Sequence, residues 1–391
     1  MIGASPVRSR SIVYGVTVGS SAFTLLRGQL AWLKEQGWDV TLVATPDEAA
    51  KKTAEREGVG FHGISMSRRI SPFADLKSLR QWITFLRQTK PDVINASTPK
   101  AGLLGHVAAW LTRVRRRVYI VRGLRLEGAR GLLAGLLWAM ERLSILLASD
   151  VVFVSRSLAE EAHRRRLIKP GAAWLIGEGS SNGIDSEGVA RRVSEVDPGS
   201  LRASLGLPPD GFVVGFVGRI VTDKGVDTLI RAFLDHRLDS RARLLLIGPL
   251  EEPELEEPIE RLGGRAVWLR WVDDVWGLLP AMDVLCLPSR REGLPTVVLE
   301  SAAAGIPAIV SRATGAVESV IDGQTGVLID VDDHRALVDA VNALVSDPDR
   351  LSQLGRAARE RAVNSYAQER FWRGLSGILA GDVDPTLVRR I

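Results

Sequence analysis

The string LPSRREGLPTVVLESAAAGIP, Leu287 to Pro307, leaves an apolar strand, makes a polar turn and enters a helical pattern near Pro295. Proline suits a first helical turn, where its missing N–H leaves no bond unmade. The amides of Gly293 to Thr296, through Leu294 and Pro295, are then expected to point out of a helix N-terminus, an arrangement that binds phosphate or other anionic oxygen. Glu292 stands before that helix and Glu300 about a turn inside it. Carboxylates accept hydrogen bonds from paired hydroxyls, as on a sugar ring or a ribose. Two glutamates at this spacing are common by chance, but the whole string is far rarer. A second cluster lies in FVVGFVGRIVTDKGVDTLI, where Gly218 ends a strand and Arg219 and Lys224 precede a helix beginning near Gly225. Two cations at the carboxyl edge of a sheet can neutralise a diphosphate, the arginine bidentately and the lysine as a point charge. Alone they read as surface cations flanking a loop; together with Glu292 and Glu300 on the same expected sheet edge they read as a pyrophosphate site.

The elements that must position these groups alternate between short β-branched runs and longer helical patterns, the signature of parallel sheets built from βαβ units. In the first half the expected strands are SIVYGVTV, DVTLVA, DVINAS, RVYIV and DVVFVS, with helices over Phe23–Gln36, Leu76–Thr89, Lys100–Leu111, Gly131–Ala148 and Ser157–Arg166. The second half repeats the scheme with FVVGFVG, ARLLLIG, AVWLR, DVLCLP and PAIVS, and helices over Gly225–Leu234, Glu254–Leu262, Val275–Ala281, Pro295–Ala304 and His334–Val345. Two doubly wound domains follow, residues 1–190 and 191–371, with a helix over 372–391 expected to pack back on the first. Residues 186–210 are polar and strand-poor, as an interdomain connection would be. The expected site is the cleft between the sheets, since ligands bind off the carboxyl ends of parallel strands.

A chain of 391 residues with 46% hydrophobic and 25% charged residues has the composition of a globular protein with full cores. Its one cysteine, Cys286, builds neither a disulfide framework nor a Cys-based zinc site and fits a reducing cytoplasm. The start, MIGASPVRSRSIVYGV, runs directly into a strand pattern without a secretion-type apolar region. The longest uncharged stretches fall short of the ~20 residues of a spanning helix. The net charge of +5 hides an asymmetry: residues 1–190 carry 27 Lys+Arg against 16 Asp+Glu, a balance of +11, and residues 191–391 carry 24 against 30, a balance of −6. Much of the excess lies between Lys100 and Arg130, beside the apolar run GLLAGLLWAM. Such a surface attracts an anionic membrane or a lipid diphosphate, or is merely a solvated basic face. Zinc-finger spacing, RNP-type aromatics and a basic zipper are all missing, which disfavours nucleic acid as a partner.

The run SRREGLPTVVLESAAAGIPAIVS, with GRIVTDKG before it and TGVLIDVDD after it, resembles the donor domain of glycosyltransferase family 4, retaining enzymes of GT-B architecture. GISMSRRISPFADLKSLRQWITFLRQTKPDVINASTPKAGLLGHVAA and GEGSSNGID extend the resemblance to the bacterial branch that builds lipid-linked polysaccharide or glycan precursors. The resemblance implies an α/β fold of two Rossmann-like domains facing across a cleft. It also implies transfer of a hexose or N-acetylhexosamine, with retention, from a nucleoside diphosphate sugar, UDP first. Arg219 and Lys224 would hold the diphosphate, Glu292 the transferred sugar and Glu300 the ribose. Gly293, Leu294, Pro295 and Thr296 would face sugar and phosphate, and Gly218, Gly248, Arg270 and Val272 the nucleotide. A glycine turn at Gly19 and Ser20 would close over the diphosphate from the first domain. The expected acceptor is lipid-linked or a polysaccharide precursor, met at the inner face of the plasma membrane, and the protein cations leave no need for a metal or other cofactor.

One departure from the family pattern is Val121-Arg122-Gly123, where many relatives carry a histidine before the glycine. Arg122 cannot act as a base at neutral pH. With Lys100 and Arg125 it can bind an acceptor diphosphate, or it is structural. Asp330-Val-Asp332 imitates a metal motif but reads as a helix N-cap at Asp332 or Asp333. The five histidines lack metal-ligand spacing, and His106, Cys286 and Trp138 read as core. Alternative activities are transfer to a small soluble acceptor, sugar-nucleotide epimerisation, for which no acid/base pair stands out, and nicotinamide-dependent redox chemistry. Against the last, Gly15 to Gly19 does not form the dinucleotide fingerprint.

Overall fold

The computed structural model describes residues 10–67 and 70–391. Arg68 and Arg69 of the SMSRRISPF string, and the first nine residues of the amino-terminal stretch, lie outside the described residues. The chain divides into two compact units, one made of residues 1–182 and 369–391 and the other of 183–368.

Unit 1 opens as β1 (Ser11–Gly15), α1 (Gly19–Leu25), α2 (Gln29–Glu35), β2 (Asp39–Ala44), α3 (Glu48–Glu57), β3 (Gly60–Gly63), α4 (Pro72–Thr89), β4 (Val93–Ala96), α5 (Pro99–Leu111), β5 (Arg116–Val121), α6 (Gly131–Leu147), β6 (Asp150–Phe153), α7 (Arg156–Arg164) and β7 (Trp174–Ile176). The strands run parallel in the order β7-β6-β5-β4-β1-β2-β3, so the winding direction reverses between β1 and β4. Strands such as Val93–Ala96 are buried on both faces, which is why they read as unbroken apolar runs rather than alternating ones. Beneath them Trp82, Phe85 and Leu86 of α4 pack on Val13, Val43 and Ile94. Each such large side chain contributes roughly 1.5–3 kcal/mol of burial.

Unit 2 contains α8 (Ser186–Ser194), α9 (Pro198–Ser204), β8 (Phe212–Val217), α10 (Val226–Leu234), β9 (Ala242–Ile247), α11 (Glu256–Glu260), β10 (Ala266–Leu269), β11 (Val284–Leu287), α12 (Thr296–Ala303), β12 (Ala308–Ser311), β13 (Gly326–Ile329), α13 (His334–Ser346) and α14 (Pro348–Ser365). Its all-parallel sheet has the order β10-β9-β8-β11-β12-β13, with the reversal between β8 and β11. The chain then returns to unit 1 through α15 (Gln368–Ala380) and β14 (Val388–Arg390), which pairs antiparallel with β7. Among the described residues no helix is long and apolar enough to cross a membrane.

Several elements differ from the sequence reading. The helix expected over Phe23–Gln36 is two helices, broken at Gly28, whose φ of 75° is left-handed. In place of the helix expected over Val275–Ala281 the chain forms a 3-10 turn, Trp276–Ala281, with Pro280 inside it. The segment 186–210 carries α8 and α9 and belongs to unit 2, held there by Arg192 on Asp274 at 2.5 Å and Arg202 on Asp283 at 2.8 Å. The division therefore falls after Asn182 rather than after 190. Residues 372–391 are not one helix: α15 begins earlier and its continuation ends as an edge strand. Trp372 ties this return to unit 1, its indole N–H donating to Asn182 Oδ1 at 2.7 Å.

Candidate active site

The loops after β8 and β11 leave neighbouring strands at the point where unit 2 reverses its winding, the place where doubly wound sheets leave a crevice for ligands. Their side chains meet there. Lys224 Nζ lies 2.6 Å from Glu292 Oε1, with the side chains 21% and 10% exposed, and Ser289 Oγ donates to the same oxygen at 2.8 Å. Arg219 Nη1 is 2.6 Å from Glu251 Oε2. Thus Lys224 and Glu292, 68 residues apart, share one site.

The turn Thr222–Lys224 that carries the lysine is braced from three sides. Glu252 accepts from the Thr222 N–H at 2.8 Å and from its hydroxyl at 2.6 Å. Arg291 pairs with Asp223 at 2.6 Å. Arg290 forks onto both oxygens of Asp227 at 3.0 and 2.8 Å, reaches Asp332 at 2.7 Å and donates to the Thr222 carbonyl. These carboxylates hold the Arg290 guanidinium well above its ordinary range. Close backbone packing completes the frame. Gly225 has a φ of 71°, and a Cβ there would strike the Pro288 carbonyl. Gly248 has a φ of 143°, and a Cβ would strike the Gly218 carbonyl, so the ends of β8 and β9 can adjoin only with a glycine at that position. The sequence reading missed Glu251, Glu252, Ser289, Arg290 and Arg291 as partners; their proximity arises from strand neighbours, and the only local signal was the doubled arginine beside Glu292.

The helix after Glu292 begins at Thr296, with Pro295 as its N-cap rather than inside its first turn. Because proline has no N–H, the expected row of amides over Gly293–Thr296 reduces to Gly293, Leu294 and Thr296. Glu300 lies one turn in, and the Trp276 indole N–H donates to its Oε1 at 3.0 Å. Arg270 pairs with Glu256 and stacks 3.9 Å above the Trp268 ring, while Val272 follows the exposed Trp271. Asp333, not Asp332, caps α13, accepting from the Arg335 and Ala336 amides at 3.0 and 2.9 Å. Asp332 turns instead to Arg290. Among the described residues no cluster of three His, Cys, Asp or Glu side chains could hold a metal.

In unit 1, Gly19, Ser20 and Ser21 are not a loop but the first turn of α1. The Gly19 N–H donates to Asp47 Oδ2 at 3.0 Å, and a Cβ there would strike that carboxylate. Lys100, at the start of α5, is buried against Asp75 at 2.5 Å. Lys100 and Arg125 line one small pocket with Ile70, Leu137, Met140 and Glu141; Arg122 is not part of that lining. Its Nη1 donates to the Ser97 carbonyl at 3.3 Å, while Nε and Nη2 are enclosed with no partner among the described residues. Burial pushes the Arg122 guanidinium down to about 10, so it stays charged at neutral pH. Burial also raises Glu141 to about 7, against the opposing hydrogen bond from the Tyr119 hydroxyl at 2.9 Å. His106 bonds the Gly102 carbonyl at 2.6 Å and is lowered to about 4 by burial; Cys286 is fully enclosed and its thiol is pushed up.

Comparison with known proteins now adds to this geometry. Residues 199–361 match the family described as Glycosyl transferases group 1, and residues 24–176 match the Glycosyl transferase 4-like domain. The capsular polysaccharide biosynthesis glycosyltransferase CapM of Staphylococcus aureus is 32% identical over 378 residues, covering 95% of this chain and 97% of that protein. An Escherichia coli UDP-Gal:alpha-D-GlcNAc-diphosphoundecaprenol alpha-1,3-galactosyltransferase is 25% identical over 346 residues, covering 85% and 87%. Among solved structures, Anabaena Alr3699/HepE in complex with UDP and glucose superposes with a TM-score of 0.79 over 95% of this chain and all of that one, at 21% identity. Sheet order, loop geometry and these likenesses agree: the chain belongs to glycosyltransferase family 4, in its bacterial polysaccharide branch, and its two Rossmann-like units are those of the GT-B fold.

Proposed function

We propose that the protein transfers a hexose or N-acetylhexosamine from a nucleoside diphosphate sugar, UDP first, to a lipid-linked or polysaccharide-precursor acceptor, with retention of anomeric configuration. The observation that carries this reading is the pairing of Lys224 with Glu292 across loops from the two strands flanking the winding reversal of unit 2, with Arg219 on the same loop as the lysine. In the proposed reaction the acceptor hydroxyl oxygen bonds to the anomeric carbon while that carbon's bond to the β-phosphate oxygen breaks on the same face. The hydroxyl proton passes to the departing phosphate oxygen, so no protein nucleophile and no metal are invoked. Arg219 and Lys224 neutralise the leaving diphosphate, a preorganised electrostatic role. Glu292 and Glu300 accept from sugar and ribose hydroxyls, and Gly293, Leu294 and Thr296 offer amides.

The uridine assignment draws support from the E. coli relative, whose name specifies UDP-Gal, and from the HepE complex with UDP. That relative's name also specifies a diphosphoundecaprenol acceptor, which supports a lipid diphosphate here, with Lys100 and Arg125, which line one pocket, as its counter-ions and Arg122 acting from outside that lining. The proposed place of work is the cytoplasmic face of the plasma membrane. Incubation with membranes and a mixture of UDP-, GDP- and dTDP-sugars, followed by mass spectrometry, is expected to show one acceptor heavier by a hexosyl or N-acetylhexosaminyl unit, and proton NMR of that product the donor's anomeric form. An epimerised donor, an inverted product or no transfer from any UDP-sugar refutes the corresponding part.

A further inference from the structure

We infer that the outer face of α6, with the start of α4, seats on an anionic lipid bilayer. Helix α6 is turned contrary to the usual amphipathic pattern. Its inward side holds Glu141 and Ser144 beside Leu137 and Ile145, and the Trp138 indole is tied down on the Arg165 carbonyl at 2.8 Å. Its outward side carries leucines: Leu132 is 96% exposed, and Leu133, Leu136, Leu143 and Leu146 are exposed with it. Positions 132, 136, 143 and 146 recur at helical spacing and so share one side of the cylinder. At the start of α4, Phe73 is 91% exposed, and the exposed Ile70 just before it lines one pocket with Leu137 and Met140 of α6, which brings the start of α4 beside that helix. Large apolar side chains grouped in the open in this way mark an interaction site.

Charge selects the partner. From Arg68 to Leu147 the sequence holds 15 Lys+Arg against 4 Asp+Glu. Of the acids, Glu141 is buried and Asp75 is spent on Lys100, whereas Lys77, Arg80 and Arg130 are exposed. A second copy of the chain, docked through the same face about a two-fold axis, would set these cations against themselves. Anionic headgroups complement them while the leucines and Phe73 enter the headgroup boundary. The inference builds on the proposed lipid-linked acceptor, whose diphosphate would reach Lys100 and Arg125 from the same side, but vesicle binding is read without turnover, so the two fail separately.

The test is co-sedimentation with phosphatidylcholine vesicles containing about one-third phosphatidylglycerol, set against phosphatidylcholine alone. Binding is expected only to the anionic vesicles and is expected to weaken at high salt. The triple variant Phe73→Ser, Leu132→Ser, Leu136→Ser should lower partitioning about tenfold or more, with UDP affinity by calorimetry unchanged. Lys77→Ser with Arg80→Ser and Arg130→Ser should lower it several-fold by charge alone, and decides the matter if the apolar variant does not fold. The inference is overturned by a native protein that ignores anionic vesicles, by variants that bind as well as it does, or by a solution dimer that the apolar variant splits.

Discussion

The two sheet edges manage charge in opposite ways. At the edge of unit 2, Arg219, Lys224, Arg290 and Arg291 each meet a carboxylate within 2.5–3.0 Å, and their loops are cross-braced before any ligand arrives. At the edge of unit 1, burial sets the charge state: Arg122 is enclosed with two unpartnered nitrogens among the described residues, and Glu141 is shifted toward neutrality. Paired, partly exposed charges respond to salt and to competing anions, whereas buried ones respond to pH. Ionic strength should therefore probe unit 2 and proton concentration unit 1.

The largest effect is expected from Lys224→Ala. Because Glu252, Arg290 and Arg291 hold the Thr222–Lys224 turn without the lysine side chain, the turn should keep its shape. The loss then falls on transition-state charge, about 10²–10³-fold in kcat, or roughly 3–4 kcal/mol. Arg219→Ala should act in the same direction and less steeply, since the arginine is more exposed. Release of UDP measured beside thermal unfolding checks both. A double variant of normal turnover removes these residues from the chemistry, and one with a collapsed Tm reassigns them to the frame.

How much of this was visible in the sequence follows from what local pattern encodes. The β-branched runs exposed most of the strands, and the grouping of Arg219, Lys224 and Glu292 on one edge followed from placing each at a strand end. Glu251 and Glu252 were not legible, because they reach the Lys224 turn only through β9 lying beside β8, with Gly248 allowing the close approach. Helix α3 is rich in Ala, Lys and Glu, and its boundaries rest on Asp47 as N-cap and Gly58 as a left-handed C-cap rather than on an apolar stripe. In α6 the pattern misled more deeply: leucine normally marks the buried side, and here Glu141 and Ser144 face inward. The resemblance placed Gly19 in a turn over the diphosphate; in the structure it opens α1, and Asp47 accepts from its amide, a partner 28 residues away that local pattern does not show.

A smaller effect tests the buried edge. The ordinary carboxylate value of 4.5 is raised to about 7 at Glu141 by burial, so the folded state holds its proton where the unfolded chain releases it. The stabilisation is complete below about pH 4.5 and is lost as pH rises through about 7, amounting to roughly 3 kcal/mol over the whole range. His106 pulls the other way: lowered from 6.5 to about 4, it costs stability as pH falls through that window, so the two slopes offset each other on the acid side. His62, also lowered by burial, acts in the same direction as His106; both histidine slopes fade above about pH 7, while the Glu141 slope runs on through its own value. Thermal unfolding between pH 6.5 and 8 should show a falling Tm that Glu141→Gln flattens; a slope unchanged by that substitution means the carboxyl is not enclosed in solution.

The smallest effect concerns Glu251. Arg219 and Glu251 are 43% and 39% exposed, and exposed pairs of this kind contribute about 0–1 kcal/mol. Before Arg219 can grip a phosphate bidentately it must give up this carboxylate, which also repels the incoming diphosphate at close range. Glu252, by contrast, holds the backbone and should stay in place. Glu251→Gln is therefore expected to tighten UDP binding about two- to fivefold at low ionic strength, with the gain disappearing in high salt as screening removes the competition. Calorimetry at two salt concentrations decides it. If UDP binds more weakly to Glu251→Gln at both, the carboxylate aims Arg219 at the donor instead of competing with it, and the bracing of unit 2 extends to its outermost cation.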